Sequence, residues 1–159
     1  MLIFVVRLVM KKILLFLGSL ICTFDVTAKD DITYINKISD EVKNCSQQFE
    51  IKEQECPESW SMKCYNHLMK TNQDTQICYK RIAVKIFEKF YNLPNDAANK
   101  KIDEYKNFIY DQYSFMYWET NFCKKNNCGI SPDLYSEYAT TQELQFYLNK
   151  MIGSISSRL

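Results

Sequence analysis

The chain has 159 residues, with 20 basic and 19 acidic side chains and a formal net charge of +1 at pH 7. Glycine and proline occur three times each and alternating runs of Val, Ile and Thr are absent, so the composition favours helices over strands. No basic stripe stands out, which argues against a nucleic-acid partner.

The N-terminus has the three parts of a secretory signal peptide. Two lysines at positions 11 and 12 precede a mostly apolar run over residues 13–24, and Ala28 ends a segment of small or modest side chains that suits a cleavage site. The run is shorter than the roughly 18 to 20 apolar residues that span a bilayer. We therefore expect residues 1–28 to be removed and the mature chain to have no stable membrane span.

Two alternatives concern the same segment. An uncleaved anchor over residues 2–24 is disfavoured by the basic residues inside that stretch. Lipidation of Cys22 is disfavoured because the residue before it is not small. Both Met1 and Met10 are suitable starts.

Cleavage would leave 131 residues, which is enough for one domain with a hydrophobic core. It would remove three basic residues and one acidic residue, so the mature chain would carry 17 basic and 18 acidic side chains and a net charge of −1. A periplasmic or secreted protein is the expectation.

The mature chain would contain six cysteines: Cys45, Cys56, Cys64, Cys78, Cys123 and Cys128. An even number in an exported chain is typical of disulfides. Zinc is the competing interpretation, but no pair has the C-x₂-C spacing of a zinc site and the compartment oxidises thiols. The spacing by itself leaves the pairing open.

Residues 31–70 are predicted to form short helical pieces. The first has apolar residues at helical spacing, namely Ile32, Ile35, Ile38 and Val42. Pro57 suits the first turn of a later piece that carries Trp60, Cys64 and Leu68. Cys45 and Cys56 on one straight helix would lie about 16 Å apart at 1.5 Å per residue. Because a disulfide needs Cα atoms within roughly 7 Å, a bridge between them requires the chain to fold back.

A second helix is predicted from about Thr75 to Tyr91. Its apolar face comprises Tyr79, Ile82, Ile86, Phe90 and Leu93. Pro94 ends it, and Asn95 or Asp96 can cap the next helix.

The third helix, residues 96–123, is predicted to be the longest. Its expected core stripe comprises Ile102, Tyr105, Phe108, Ile109, Phe115, Met116 and Phe122.

The last helix is predicted to begin with Ser131 as cap and Pro132 at the first helical position. Its inward residues are Leu134, Tyr138, Leu144, Leu148, Met151 and Ile152, and Gly153 can terminate it. A local bridge between Cys123 and Cys128 would fasten the third helix to the last. Together these elements predict an all-α, disulfide-stapled helical bundle.

Two surfaces are candidates for binding. Tyr110, Tyr113 and Tyr117 are predicted to project opposite the core stripe, with Trp118 on a flank, and such rings give a large contact area at low entropic cost. The alternative is that the N-terminal segment covers this face as a second layer. The other candidate is an acidic cluster, Glu50, Glu53, Glu55 and Glu58, for which solvated surface is the alternative.

No catalytic or metal-binding constellation emerges. His67 is the only histidine, so a histidine-based metal site or relay is excluded, and a surface position is expected for it. With all six cysteines paired, no thiol is left as a nucleophile. Glu119 is predicted to project beside Phe115, with Glu104 and Asp111 on a different face, so no carboxylate pair is expected; Glu119 can instead pair with Arg81 or Arg158, or lie at a helix end. We therefore expect neither an enzyme nor a cofactor.

Residues 64–150 resemble the LprI-like proteins, a family of small exported bacterial proteins. Cys64 and Cys78 flank "YNHLMKTNQDTQI", the following helix ends "FEKFYN", Gln112 lies eleven residues before Cys123, and the closing segment reads "TTQELQFYL". Phe115 and Trp118 take the positions of a tryptophan and an aromatic residue. The chain departs from the pattern where Glu119-Thr120 replace Arg-Asp and Gln142 replaces Arg.

The resemblance implies a Cys64–Cys78 bridge, and proximity in the chain then suggests Cys45–Cys56 and Cys123–Cys128. It divides the mature chain into an N-terminal helical extension, residues 29–63, and a family-like helical domain, residues 64–159. For some members it implies inhibition of lysozyme, by occlusion of the enzyme's cleft. The alternative is a periplasmic structural, accessory or immunity protein with another protein partner. A small-ligand binder lined by tyrosines is a third hypothesis.

Overall fold

Four long helices form nearly all of the described part of the chain. The computed structural model describes residues 28–50, 52, 62–120, 125 and 131–159. Helix α1 covers residues 28–50; α2 covers Met62–Tyr91, α3 covers Asn95–Thr120 and α4 covers Pro132–Ser156. These ranges contain no strand. The prediction of an all-α fold is confirmed.

The helices run alternately up and down. Ion pairs join α2 to both of its sequence neighbours: Lys89–Asp31 (2.8 Å), Lys85–Glu41 (2.7 Å) and Lys80–Asp103 (2.7 Å). A position late in α2 pairs with a position early in α1, so these two helices are antiparallel. Tyr105 of α3 stacks against Tyr147 of α4 with ring centroids 4.6 Å apart. The architecture is an up-down-up-down four-helix bundle.

The main core lies towards one end of the bundle and draws residues from all four helices. Its largest fully buried apolar side chains are Ile35, Ile38 and Val42 of α1, Tyr79 and Ile86 of α2, Ile102 of α3 and Leu148 of α4. These positions follow the helical spacing that the sequence predicts, so burial of each apolar stripe stabilises the bundle. Ile32, the first member of the predicted α1 stripe, is instead exposed.

A buried polar layer separates this core from a smaller apolar cluster of Cys64, Leu68 and Leu134. The layer is formed by α2 and α4 and contains Thr71, Asn72, Thr75, Gln76, Ser136, Thr140 and Thr141. Gln76 donates to the Glu137 side chain (2.6 Å) and to Thr141 (3.2 Å), and Thr141 lies 3.0 Å from Asn72 Oδ1. Asn72, Gln76 and Thr141 thereby satisfy one another, which allows them to be buried; the buried Thr140 hydroxyl has no hydrogen-bond partner among the described residues.

Two boundary predictions for the N-terminal half are wrong. Residues 28–50 form one continuous helix rather than short pieces. Helix α2 begins at Met62, not near Thr75. The segment "KTNQDTQ" is polar and suggests a turn, yet Thr71 and Thr75 donate back to carbonyls four residues earlier at 2.8 Å. The segment stays helical because Asn72 and Gln76, which face α4, find hydrogen-bond partners there. Pro57 and Trp60 lie outside the described residues.

The observed ends of the other helices agree only in part with the ends predicted from the sequence. Ser131 caps α4 by accepting a hydrogen bond from the Leu134 N–H at 3.2 Å, and Pro132 occupies its first turn, as predicted. The prediction that Gly153 ends α4 is wrong, because the helix continues to Ser156. The expected end of α3 at Cys123 lies outside the described residues.

A disulfide joins Cys45 of α1 to Cys78 of α2, with Cα atoms 6.1 Å apart. The expected Cys45–Cys56 and Cys64–Cys78 bridges are therefore wrong. The antiparallel packing of α1 on α2 brings Cys45 beside Cys78 although 33 residues separate them. Cys64 is also disulfide-bonded. The expected Cys123–Cys128 bridge lies outside the described residues.

The division at residue 63 and the signal peptide remain predictions. Helix α1 belongs to the same core as α2, α3 and α4, while residues 1–27 lie outside the described part. None of the described helices is both long and apolar enough to cross a membrane.

Candidate interaction surface

The predicted tyrosines lie along the contact between α3 and α4. Tyr113 donates a hydrogen bond to the Glu143 carboxylate at 2.9 Å, and its ring packs edge-on against Tyr135 at 6.0 Å. Tyr110 donates to Asp133 at 3.4 Å. Tyr117 also packs against Tyr135. Each of these three tyrosines is half-buried, so the expectation that they face solvent is wrong, and among the described residues α4 packs against them.

This contact perturbs the phenol groups. Burial, followed by the hydrogen bond to Glu143 and its charge, raises the pKa of Tyr113 to about 12. Burial also raises the pKa of Tyr105, Tyr110 and Tyr147. Each of these shifts favours the neutral hydroxyl, which is the form that donates hydrogen bonds across the helix pair. The tyrosines therefore act first as structural links.

The solvent-facing side of α3 carries three other aromatic rings. Phe108 is 61% exposed, Phe115 is 63% exposed and Trp118 is 68% exposed. Phe108 and Phe115 are seven residues apart, which places them on one side of the helix about 10 Å apart along its axis. We call Phe108, Phe115 and Trp118 the aromatic face. The prediction that Phe108, Phe115 and Met116 belong to the core is wrong, and Phe122 lies outside the described residues.

The acidic cluster is only partly within the described structure. Glu50 is exposed at the end of α1. Glu53, Glu55 and Glu58 lie outside the described residues, as do Cys56, Cys123 and Cys128. The cluster therefore remains a predicted binding surface.

His67 and Glu119 occupy ordinary structural positions. His67 is half-buried in α2, and its Nε2 lies 3.2 Å from the Lys52 carbonyl oxygen. Glu119 is exposed near the end of α3 and makes no ion pair with Arg81 or Arg158 in the described structure. Within the described ranges, no three His, Cys, Asp or Glu side chains are grouped as metal ligands.

A shallow groove of about 500 Å³ runs along α2 towards the start of α3. Its lining includes Lys80, Arg81 and Lys85. Two of these cations are already paired, Lys80 with Asp103 and Lys85 with Glu41. No tyrosine lines this groove, so it does not correspond to the predicted tyrosine-lined ligand site.

No protein-family model, curated protein or solved structure matches this chain. The likeness to LprI-like proteins therefore stays a resemblance of spacing and motif.

Sequence reasoning found the aromatic-rich segment of α3 but assigned its two sides incorrectly. The missed signal lies in α3 itself. At 100° per residue, Ile102 and Ile109 lie within about 40° of Tyr113 and about 100° or more from the phenylalanines of the aromatic face. Burial of these isoleucines therefore turns the tyrosine side inward and the phenylalanine side to solvent. Two carboxylates of α4 accept hydrogen bonds from the tyrosines in this orientation.

Proposed function

We propose that this is an exported cell-envelope protein that works by binding another protein. The observation that carries the proposal is the aromatic face, which a crosslinked helical bundle holds outward. Large exposed aromatic groups on a rigid element are typical of protein interfaces, because they bury much area while losing little conformational entropy.

The resemblance to LprI-like proteins supports a more specific partner, a cell-wall-degrading enzyme such as lysozyme. In this proposal the bundle occludes the enzyme's cleft and performs no chemistry itself. A disulfide between two helices is compatible with an oxidising compartment such as the periplasm or the extracellular space. A structural, accessory or immunity protein would use the same kind of surface on a different partner.

The test uses the mature chain purified from the periplasm with its disulfides intact. Lysozyme is mixed with increasing amounts of the protein, and the clearing of cell-wall suspensions is recorded together with direct binding. We expect stoichiometric loss of lytic activity. If lysozyme neither binds nor loses activity while another envelope protein is specifically retained, inhibition is wrong and the alternative holds.

A further inference from the structure

The exposed side of α3 combines the aromatic face with three carboxylates. Glu104, Asp111 and Glu119 are all exposed. At 100° per residue they fall within an arc of about 100° together with the aromatic face, so the expectation that Glu104 and Asp111 lie on a different face from Glu119 is wrong. Successive carboxylates lie about 10 and 12 Å apart along the helix axis. The aromatic rings lie between them, so aromatic and acidic groups alternate.

Few cations offset these carboxylates. Glu104 lies 3.9 Å from Lys100, one turn earlier, and both side chains are well exposed. Asp111 and Glu119 make no ion pair in the described structure, and residues 107–120 contain no lysine or arginine. The half of α3 that carries the aromatic face is therefore negatively charged, although the whole mature chain is expected to be nearly neutral.

The charges argue against a second copy of this chain as the occupant. An antiparallel pairing that sets Phe108 against Phe115 of a second copy also sets Glu104 against Glu119, since both pairs are centred on the same midpoint. Asp111 would then approach its own counterpart. A parallel pairing in register places each carboxylate against itself. Both the antiparallel and the parallel pairing therefore bring like charges of the two copies together, which is unfavourable.

We propose that the outer side of α3 docks a basic protein surface whose cationic groups alternate with apolar ones. Apolar groups of the partner would cover Phe108 and Phe115, and its lysines or arginines would reach Asp111, Glu119 and the face of the Trp118 ring. The inference rests on the proposed function, since it specifies which surface binds and what chemistry the protein partner has. Anionic lipid is disfavoured as occupant by the same carboxylates.

The experiment uses the mature, disulfide-bonded chain with Trp60→Phe, which leaves Trp118 as its only tryptophan. The probe is a synthetic amphipathic peptide with lysines on its polar face, and its counterpart carries glutamates at the same positions. We expect the lysine peptide to shift Trp118 emission to shorter wavelength in a saturable manner that salt weakens. The glutamate peptide should leave the emission unchanged.

Matched variants locate the binding. Asp111→Lys with Glu119→Lys should weaken binding about tenfold or more, and Phe115→Ser should weaken it similarly. The controls make comparable changes on other helices: Asp40→Lys with Asp74→Lys reverses two exposed charges, and Ile32→Ser removes an exposed apolar group. They should leave the affinity within about twofold. Circular dichroism establishes that every variant is folded.

Several results would overturn the inference. These are no shift with the lysine peptide, an equal shift with both peptides, or equal weakening by the test and control variants. A shift that appears only on phosphatidylcholine or phosphatidylglycerol vesicles assigns the surface to lipid, and one that depends only on protein concentration assigns it to a second copy. If lysozyme binding fails while the peptide results hold, lysozyme inhibition is wrong and the further inference stands. If lysozyme binds the Asp111→Lys, Glu119→Lys variant as tightly as it binds the unmodified protein, the further inference is wrong and the proposed function stands.

Discussion

Tyr113 links α3 to α4 through its neutral hydroxyl, which donates to Glu143 at 2.9 Å. Its pKa is raised from 10.0 to about 12, first by burial and then by Glu143. A pKa that is higher in the folded than in the unfolded chain means that folding favours the protonated phenol. The stabilisation is therefore complete below pH 10 and is lost as the pH rises from about 10 to about 12.

Glu143→Gln should lower the pKa of Tyr113 part of the way towards its ordinary value, because the charge is removed while the burial remains. The measurement is a pH titration of the tyrosine ring carbon that bears the oxygen, by carbon NMR. Asp133→Asn is the control, since it should affect Tyr110 and leave Tyr113 unchanged. An unchanged titration of Tyr113 in Glu143→Gln would contradict the assignment.

Asn92 follows α2 in the left-handed region, with φ 52°. The Leu93 N–H then donates back to the Phe87 carbonyl at 3.1 Å, which closes the end of the helix. Asparagine tolerates this conformation, glycine adopts it freely, and a β-branched residue does not. The residue type here determines where the connection to α3 begins.

We expect Asn92→Val to lower the free energy of unfolding by about 1 to 2 kcal/mol, because of the left-handed backbone. Asn92→Gly should leave it nearly unchanged. Urea unfolding of the two variants, followed by circular dichroism, makes the comparison. Equal destabilisation by both would show that loss of the asparagine side chain, rather than backbone conformation, is responsible.

Helix α2 shows how tertiary partners keep a polar segment helical. Residues 71–76 contain threonine, asparagine and glutamine, which compete with helical hydrogen bonds in an isolated peptide. In the bundle, Asn72 and Gln76 meet Thr141 and Glu137 of α4. The helix therefore begins at Met62, thirteen residues before the apolar periodicity would place it.

Thr141→Val should destabilise the protein by about 1 to 3 kcal/mol. Valine has a similar shape but has no hydroxyl, so Asn72 Oδ1 and one Gln76 N–H lose a buried partner. Chemical denaturation monitored by circular dichroism gives the difference. Thr33→Val, on an exposed part of α1, should change the stability by less than about 0.5 kcal/mol. Equal stability of Thr141→Val and the unmodified protein would mean that the polar layer does not depend on this hydroxyl.

Helix α3 was predictable as a helix, and its orientation could also have been predicted from its isoleucines. Its tyrosines and its phenylalanines both recur at helical spacing, so two stripes compete for the interior. Ile102 and Ile109 are both buried, and at 100° per residue they lie within about 40° of Tyr113, which favours the tyrosine side. The carboxylates of α4 that accept from the tyrosines lie more than twenty residues further along the chain and agree with this orientation.

The Cys45–Cys78 disulfide acts at the scale of the whole bundle, because it crosslinks α1 to α2 within the core. Closing a loop across 33 residues restricts the unfolded chain. A domain of this size has a total stability near 5 to 15 kcal/mol, so one crosslink is a sizeable part of it. The disulfide also supports the rigidity on which the proposed binding depends.

Replacing both Cys45 and Cys78 with alanine should lower the free energy of unfolding by about 2 to 4 kcal/mol. Mass mapping of the unmodified protein, digested without reduction, should yield a peptide pair linked through these two residues. A peptide that joins Cys45 to Cys56, or Cys64 to Cys78, would contradict the structure.

The sequence by itself determined the class of the fold, the existence of α3 and the start of α4. These depend on local causes: composition, apolar spacing and a Ser-Pro cap. The tertiary structure alone decided the disulfide partner of Cys45 and the continuity of α2 through its polar segment, residues 70–76. Each of these depends on groups far apart in the chain, and their proximity follows from helix packing that no local pattern encodes.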